Sequence, residues 1–486
     1  MKIQGHQHHH HHCNVCATDS VGEPGDHKLK PKANGPFPEA EIRTLVDQGP
    51  SENRIDLTMV GDGYTASQKE DFFKDAKRMT DELFEGQTFA SYLPLFNVHA
   101  VFVPSNDSGL KDGDKKDTAL GLYRSPAGSK RAISVGKPAQ ARKAVALARD
   151  TDYPILIAND KFYGGLGGEF AITTSSPESG SMVLRHELGH NFGDVGEEYD
   201  GGQVYKGANH SREKAPKWSE WIERKEEPQV ARAVLAQYPW KNLKNGDQEF
   251  PFEVKALDDT QPLVGINLSS VGWQTPQDVE VSIDGKPVKL EGQYTEDRSF
   301  FSLKKPIALE PGTHTLKVHE NVKDGNNVLG SVQVTNFSSN YDFDPKHIGA
   351  YPTFNDSLRL VGYRPTHESC LMRNMRTTEF CPIDKQNMWA QFLHKVSLID
   401  SVEAKPLRNG NTQLEVKTLD LKGLDVKWYR TTKDGKSEEL TDFQGKRKVT
   451  VPQGQGGEYQ AEVSFQTPEV RKYNEDFVDR QSVKVA

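Results

Sequence analysis

The sequence predicts an α/β domain built around one central helix, interrupted by a β-sandwich and followed by a second, immunoglobulin-like sandwich. Three observations carry this. Strand and helix patterns alternate along residues 54–174 and lead into a helix at 177–193. Short alternating strands with turn pairs between them fill 251–345. The same pattern returns after 401. The expected order is a leader at 1–36, a first part of the α/β domain at 37–250, an inserted sandwich at 251–345, a second part of the α/β domain at 346–400, and a final sandwich at 401–486.

A chain of 486 residues is too long for one simple core. Hydrophobic residues at 35% and charged residues at 27% fit a soluble globular protein. The net charge of −8 is mild and argues against nucleic acid as a main partner. No apolar run approaches the length of a membrane span. The start, Met1-Lys2-Ile3-Gln4-Gly5-His6, has no apolar core of a signal peptide, so a processed or re-engineered form, or an intracellular chain, is expected. Residues 1–36 are polar and without apolar period, and predict a disordered leader. Within it, Cys13 and Cys16 stand beside a His run at 8–12, a purification tag or a metal-chelating tail.

The elements follow in order. Residues 54–60 alternate Ile55, Leu57 and Met59 and predict a buried strand ending in the turn Gly61-Asp62-Gly63-Tyr64. Thr65 is the expected N-cap of a helix striped by Phe72, Phe73, Ala76, Met79, Leu83 and Phe84. A second strand is expected at 98–103. A Gly-, Lys- and Asp-rich loop at 105–132 is of the kind that borders a binding site. A short helix at 139–148 precedes a third strand at 153–158. The glycine run at 163–168 lacks the Lys-Ser or Lys-Thr of a phosphate loop. It predicts close backbone approach beside an edge strand at 169–174, where an extended peptide can pair. Residues 211–250 read as an irregular or helical connector whose Trp218, Trp221 and Trp240 pack rather than bind. In the insert, Val279, Val281 and Ile283 run into the hairpin pair Asp284-Gly285. After Pro382, Met388, Trp389, Phe392, Leu393 and Val396 mark an amphipathic helix. The final sandwich is carried by Leu414, Val416, Val426, Trp428, Tyr459, Ala461 and Val463.

The chemistry concentrates in 185–200, RHELGHNFGDVGEEYD. His186 and His190 are four apart and share one face of a helix, where two imidazoles can grip a zinc ion and leave room for water. Glu187 stands where it can take a proton from that water. Gly193 and Gly196 are the expected breakers that turn the chain back toward the metal. The third ligand should follow: Glu197 first, Glu198 as its near rival, Asp194 less suited because it comes so soon after Gly193. Cys370 and Cys381 are close enough in sequence for a local disulfide, which would suit an extracellular protein, or are two free thiols.

With both segments in view, the chain resembles the metallopeptidases named after the immunoglobulin A peptidase, family sixty-four, in the metzincin-like clan. The matching stretches are IDLTMVGDGYT, FNVHAVFVPSNDSG, ANDKFYGGLGG and HELGHNFGDVGEEYDGG, and later GYRPTHESCLMRN followed by FCP. The resemblance implies a metzincin-like fold, a Zn2+ cofactor, a secreted setting and a protein or peptide substrate. It implies that His186 and His190 are ligands, Glu187 the general base, and Met372 (or Met375) the apolar floor called the Met-turn. Tyr363 would help polarise a scissile carbonyl, or is a core tyrosine. Metzincins place the third ligand where Gly196 stands here, so Glu197 comes one residue late. The long interval between Glu197 and Met372 marks the insert. A contrasting expectation is a carbohydrate- or protein-binding surface module with a degenerate metal site, which two sandwiches would serve.

Overall fold

The computed structural model describes residues 37–125 and 131–486; the leader, with Cys13, Cys16 and the His run, lies outside the described residues. The α/β domain is centred on a five-stranded sheet. Its members are β1 (Glu41–Asp47), β2 (Ile55–Asp62), β3 (Phe96–Phe102), β6 (Tyr153–Ala158) and β7 (Ala171–Thr174), in the order β1-β3-β2-β6-β7. A small hairpin, β4 (Leu122–Arg124) with β5 (Ile133–Val135), lies in the loop between β3 and β6. β1 is antiparallel to β3, and the other neighbours are parallel.

Both faces of this sheet are covered, which is why β2 is buried at every position. Alternation along β2 and β3 sorts the side chains. Leu57, Met59, Val98 and Ala100 meet one core, while Val60 and Val101 meet another. The first face packs against three helices: α1 (Lys69–Leu83), α3 (Gly180–Gly193) and α4 (Pro382–Lys395). The second packs against α2 (Pro138–Val145) and, from residues 105–125 and 131–135, against Leu120, Leu122 and Ile133. Thr65 caps a 3-10 turn at Ala66–Gln68, with Gln68 closing a capping box, rather than α1 itself, which starts at Lys69; Phe72, Phe73, Ala76, Met79 and Leu83 are its buried stripe, and Phe84 stands at its C-cap. The loop after β3 is pinned rather than loose. The Asp62 carboxylate accepts from the amides of Leu120 (2.8 Å) and Leu122 (2.9 Å) and from the Thr118 hydroxyl (2.8 Å).

The insert consists of a four-stranded and a seven-stranded sheet around Val264, Ile266, Leu268, Phe301, Leu316, Val318 and Val332. It begins earlier than 251. The strand Ala231–Gln237 pairs with Val328–Phe337, and Gln248–Val254 pairs with Gly312–Glu320. The connector expected over 211–250 therefore contains strands. Its charged residues hid them because edge strands expose one side. The sequence Gln248–Val254 still alternates cleanly, with Phe250, Phe252 and Val254 inward.

The chain returns through a hairpin, Tyr351–Phe354 with Leu360–Arg364, then a loop and α4. The last unit has a three-stranded and a four-stranded sheet, with Leu414, Val426, Trp428 and Val463 between them. It docks on α4, where Trp389 and Phe465 have ring centroids 4.8 Å apart. The buried Arg54 guanidinium adds a two-pronged ion pair to Asp400, at 2.7 and 2.9 Å. Among the described residues, no helix is long and apolar enough to cross a membrane.

Candidate metal centre and active site

α3 is buried on nearly all sides, an environment normally reserved for apolar helices, yet it carries Arg185, His186, Glu187 and His190. Polar groups in such a place need partners of their own. The start of the helix is held from outside the domain. Asp297, on the insert, accepts hydrogen bonds from Ser176 Oγ (2.5 Å), Ser179 Oγ (2.6 Å) and the Tyr163 amide (2.7 Å).

One turn apart, His186 and His190 bring their rings to a centroid distance of 4.7 Å and their Nε2 atoms to 3.0 Å. His190 Nδ1 lies 2.8 Å from the Val195 carbonyl. A carbonyl only accepts, so Nδ1 carries the hydrogen and the neutral ring offers its lone pair at Nε2.

The helix ends at Gly193, but the residue in the left-handed conformation is Asp194 (φ 49°), not a glycine. The Asp194 amide bonds back to the His190 carbonyl at 2.9 Å. Gly196 serves a different purpose from the breaker expected. A Cβ there would lie 2.6 Å from the Val204 carbonyl, so glycine permits the close ladder in which Gly196 and Glu197 donate to Lys206 and Val204, each at 2.9 Å.

That ladder returns Glu197 to the histidines. Its Oε1 is 3.2 Å from His190 Nε2 and its Oε2 is 3.5 Å from His186 Nε2. The three side chains bring ligand atoms within 4.8 Å of one another, all buried. Among the described residues, neither oxygen of Glu197 accepts a hydrogen bond. Two imidazoles and a buried carboxylate that accepts no hydrogen bond suit a divalent cation. Glu198, the rival, points elsewhere and joins Cys370, Cys381 and Asp384.

Beneath the helix, Met372 is fully buried, and a Cβ on Gly189 would lie 2.8 Å from its sulfur. Met375 is buried too, but it faces a cavity lined by Tyr199, Tyr238 and Arg373. The Met372 loop is stitched to the ligand segment. The Glu198 amide donates to the Met372 carbonyl (3.2 Å), and buried Arg373 donates to the Glu198 carbonyl (3.1 Å) and to Asp200 Oδ2 (3.0 Å).

Glu187 is also nearly buried. A Cβ on Gly167 would stand 2.8 Å from its Oε2, so the glycine run makes room for this carboxylate. The run also alters the expected peptide-pairing edge. β7 is the last strand of its sheet, yet Ile172 exchanges two hydrogen bonds with Leu166, at 2.8 and 3.1 Å. That side of β7 is therefore taken at its centre. Tyr363 is held by the main chain against Ser211 and Pro352, with its hydroxyl pushed above the usual range by burial. Tyr199, in the acidic cluster after the zinc motif, brings its ring centroid 6.4 Å from that of His186. Trp218 and Trp221 are packing residues, each donating its indole N–H within the fold.

The expected disulfide is not formed. Cys370 and Cys381 are free, buried thiols, and Cys370 Sγ donates to Asp384 Oδ2 at 3.0 Å. Spacing alone could not show that two carboxyls would share their pocket.

Residues 43–257 match the family model described as IgA Peptidase M64. No curated protein matches the chain.

Proposed function

With residues 43–257 belonging to the IgA peptidase M64 family of metallopeptidases, we propose that the chain is a zinc-dependent endopeptidase reacting at His186, Glu187, His190 and Glu197. The observation that carries this reading is the buried convergence of two imidazoles with a carboxylate that accepts no hydrogen bond, next to a second carboxylate on the same helix. Three nitrogen and oxygen ligands leave a fourth position for water and substrate, as catalytic zinc sites do. When bound, the ion supplies Lewis-acid polarisation of the scissile carbonyl and of the attacking water.

The chain's own residues do the rest. Glu187 takes the proton of the attacking water and returns it to the leaving amine. The Val195 carbonyl keeps His190 in the ligating tautomer. Met372 keeps the floor beneath the helix apolar and dry. Tyr363 is the hydroxyl proposed to steady the carbonyl oxygen. Because Leu166 occupies the middle of β7, an extended substrate would meet the glycine run near Gly167 rather than β7 itself.

A carbohydrate- or protein-binding module has no use for a carboxylate at Glu187, and the enzyme reading accounts for it. Glu187→Gln keeps the shape and removes the base. Hydrolysis of casein should fall by roughly 10²- to 10⁴-fold while metal content stays that of the wild type. An unchanged rate would refute the assignment.

A further inference from the structure

A second group of ligand-type side chains lies on the far side of the Glu197–Glu198 peptide. Glu198, Cys370, Cys381 and Asp384 place two carboxyls and two thiols with their ligand atoms within 4.8 Å of one another. None is more than 1% exposed. The existing contacts satisfy only part of the set. Asn209 Nδ2 donates to Glu198 Oε2 at 3.0 Å, Cys370 Sγ donates to Asp384 Oδ2 at 3.0 Å, and the Asp384 amide donates to Cys381 Sγ at 3.4 Å. Glu198 also lies within side-chain hydrogen-bonding reach of the Asp384 carboxyl and the Cys370 thiol, yet among the described residues no N–H or hydroxyl donor reaches Glu198 Oε1 or Asp384 Oδ1. Two half-satisfied carboxyls and two thiols, sealed from water, are a costly arrangement for an ordinary core.

We propose that Glu198, Cys370, Cys381 and Asp384 form a second, closed metal centre that takes one zinc-type divalent ion. Two sulfur and two oxygen ligands fill a tetrahedral shell and leave no open position, which marks a structural rather than a catalytic site. Four ligand charges around a dication give the same net charge as a four-cysteine zinc centre, and the N-terminus of α4, where Cys381 is the cap, favours negative charge there. The protons of both thiols and both carboxyls leave to solvent as the ion enters. The centre would tie three segments together: the one that supplies Glu197, the loop that supplies Met372, and the start of α4. It would hold the floor and the third ligand of the first site in register.

The test uses cobalt(II) in place of zinc and reads the thiolate-to-cobalt charge-transfer absorption, which a site of two histidines and a glutamate does not give. The full-length chain is compared with Cys13→Ser/Cys16→Ser, which removes the other thiols, and with Cys370→Ser/Cys381→Ser. The band should persist in Cys13→Ser/Cys16→Ser, with about one equivalent of cobalt bound through thiolate, and disappear in Cys370→Ser/Cys381→Ser. It should also persist in His186→Ala, so the result is independent of the peptidase reading. Absence of the band from Cys13→Ser/Cys16→Ser, whose replacements lie outside the described fold, would overturn the proposal without relying on a variant that fails to fold. So would an intact mass showing Cys370 and Cys381 joined as a disulfide in the purified wild type. Protein whose two carboxyls at this second site merely share a proton would show neither the thiolate-to-cobalt band nor a bridge, and would also overturn it.

Discussion

At the scale of single residues, the two histidines and Glu187 are set by helical spacing, and their neighbours by the absence of side chains. Gly167 is the clearest case. Its missing Cβ leaves the space beside Glu187 Oε2, and its own backbone is not in the left-handed region. Gly167→Ala should push the carboxylate aside, lowering kcat/KM by about 10- to 100-fold with metal content unchanged; loss of metal as well would show that the glycine supports the fold instead. The pair His186/His190 was legible because residues four apart must share a helix face. The choice between Glu197 and Glu198 was not. Neighbouring residues of an extended segment project to opposite sides. Which one meets the histidines depends on the turn at Asp194 and on the ladder to Val204 and Lys206, and neither has a sequence signature.

At the scale of elements, the site helix depends on parts remote in sequence. Asp297 of the insert gathers the Ser176 and Ser179 hydroxyls and the Tyr163 amide at the N-terminus of α3. Asp297→Ala leaves those donors without their acceptor, so stability should fall by about 2–4 kcal/mol. Amide exchange measured by mass spectrometry should speed up first at the start of α3. Uniform exchange across the chain would place the damage elsewhere. The sheet, α1 and α4 were legible because their apolar periods are strong and Pro382 opens α4. β1 was not recognised, because EIRTLVD is an edge strand with no fully buried residue. The strands before 251 were lost for a related reason: charge on the open side masks alternation, and Pro251 inside Gln248–Val254 looks like a break.

At the scale of the whole molecule, one core runs from β2 through α3 and α4 into the last pair of sheets, so the C-terminal unit is part of the support for the site. Buried titratable groups couple that support to pH. His367 has its imidazole pushed down to about 4 by burial, against the opposing pull of Glu368, with Arg364 and Arg373 adding smaller pushes in the same direction as burial. Its folded form refuses a proton that the unfolded chain accepts. Stability is therefore full above about pH 6.5 and declines as pH falls toward 4, by on the order of 3 kcal/mol from this group. His367→Asn, which keeps a polar partner for the Tyr341 hydroxyl, should flatten that slope in urea titrations; an equal slope in the variant would remove His367 as its source. The proposal that a metal held by His186, His190 and Glu197 drives peptide-bond cleavage is tested most directly by mass-spectrometric mapping of new termini in a complex peptide pool, before chelation, after it, and after zinc is returned. The termini should vanish with the chelator and reappear at the same bonds with zinc, and cleavage that continues undiminished in the chelated protein would contradict the account.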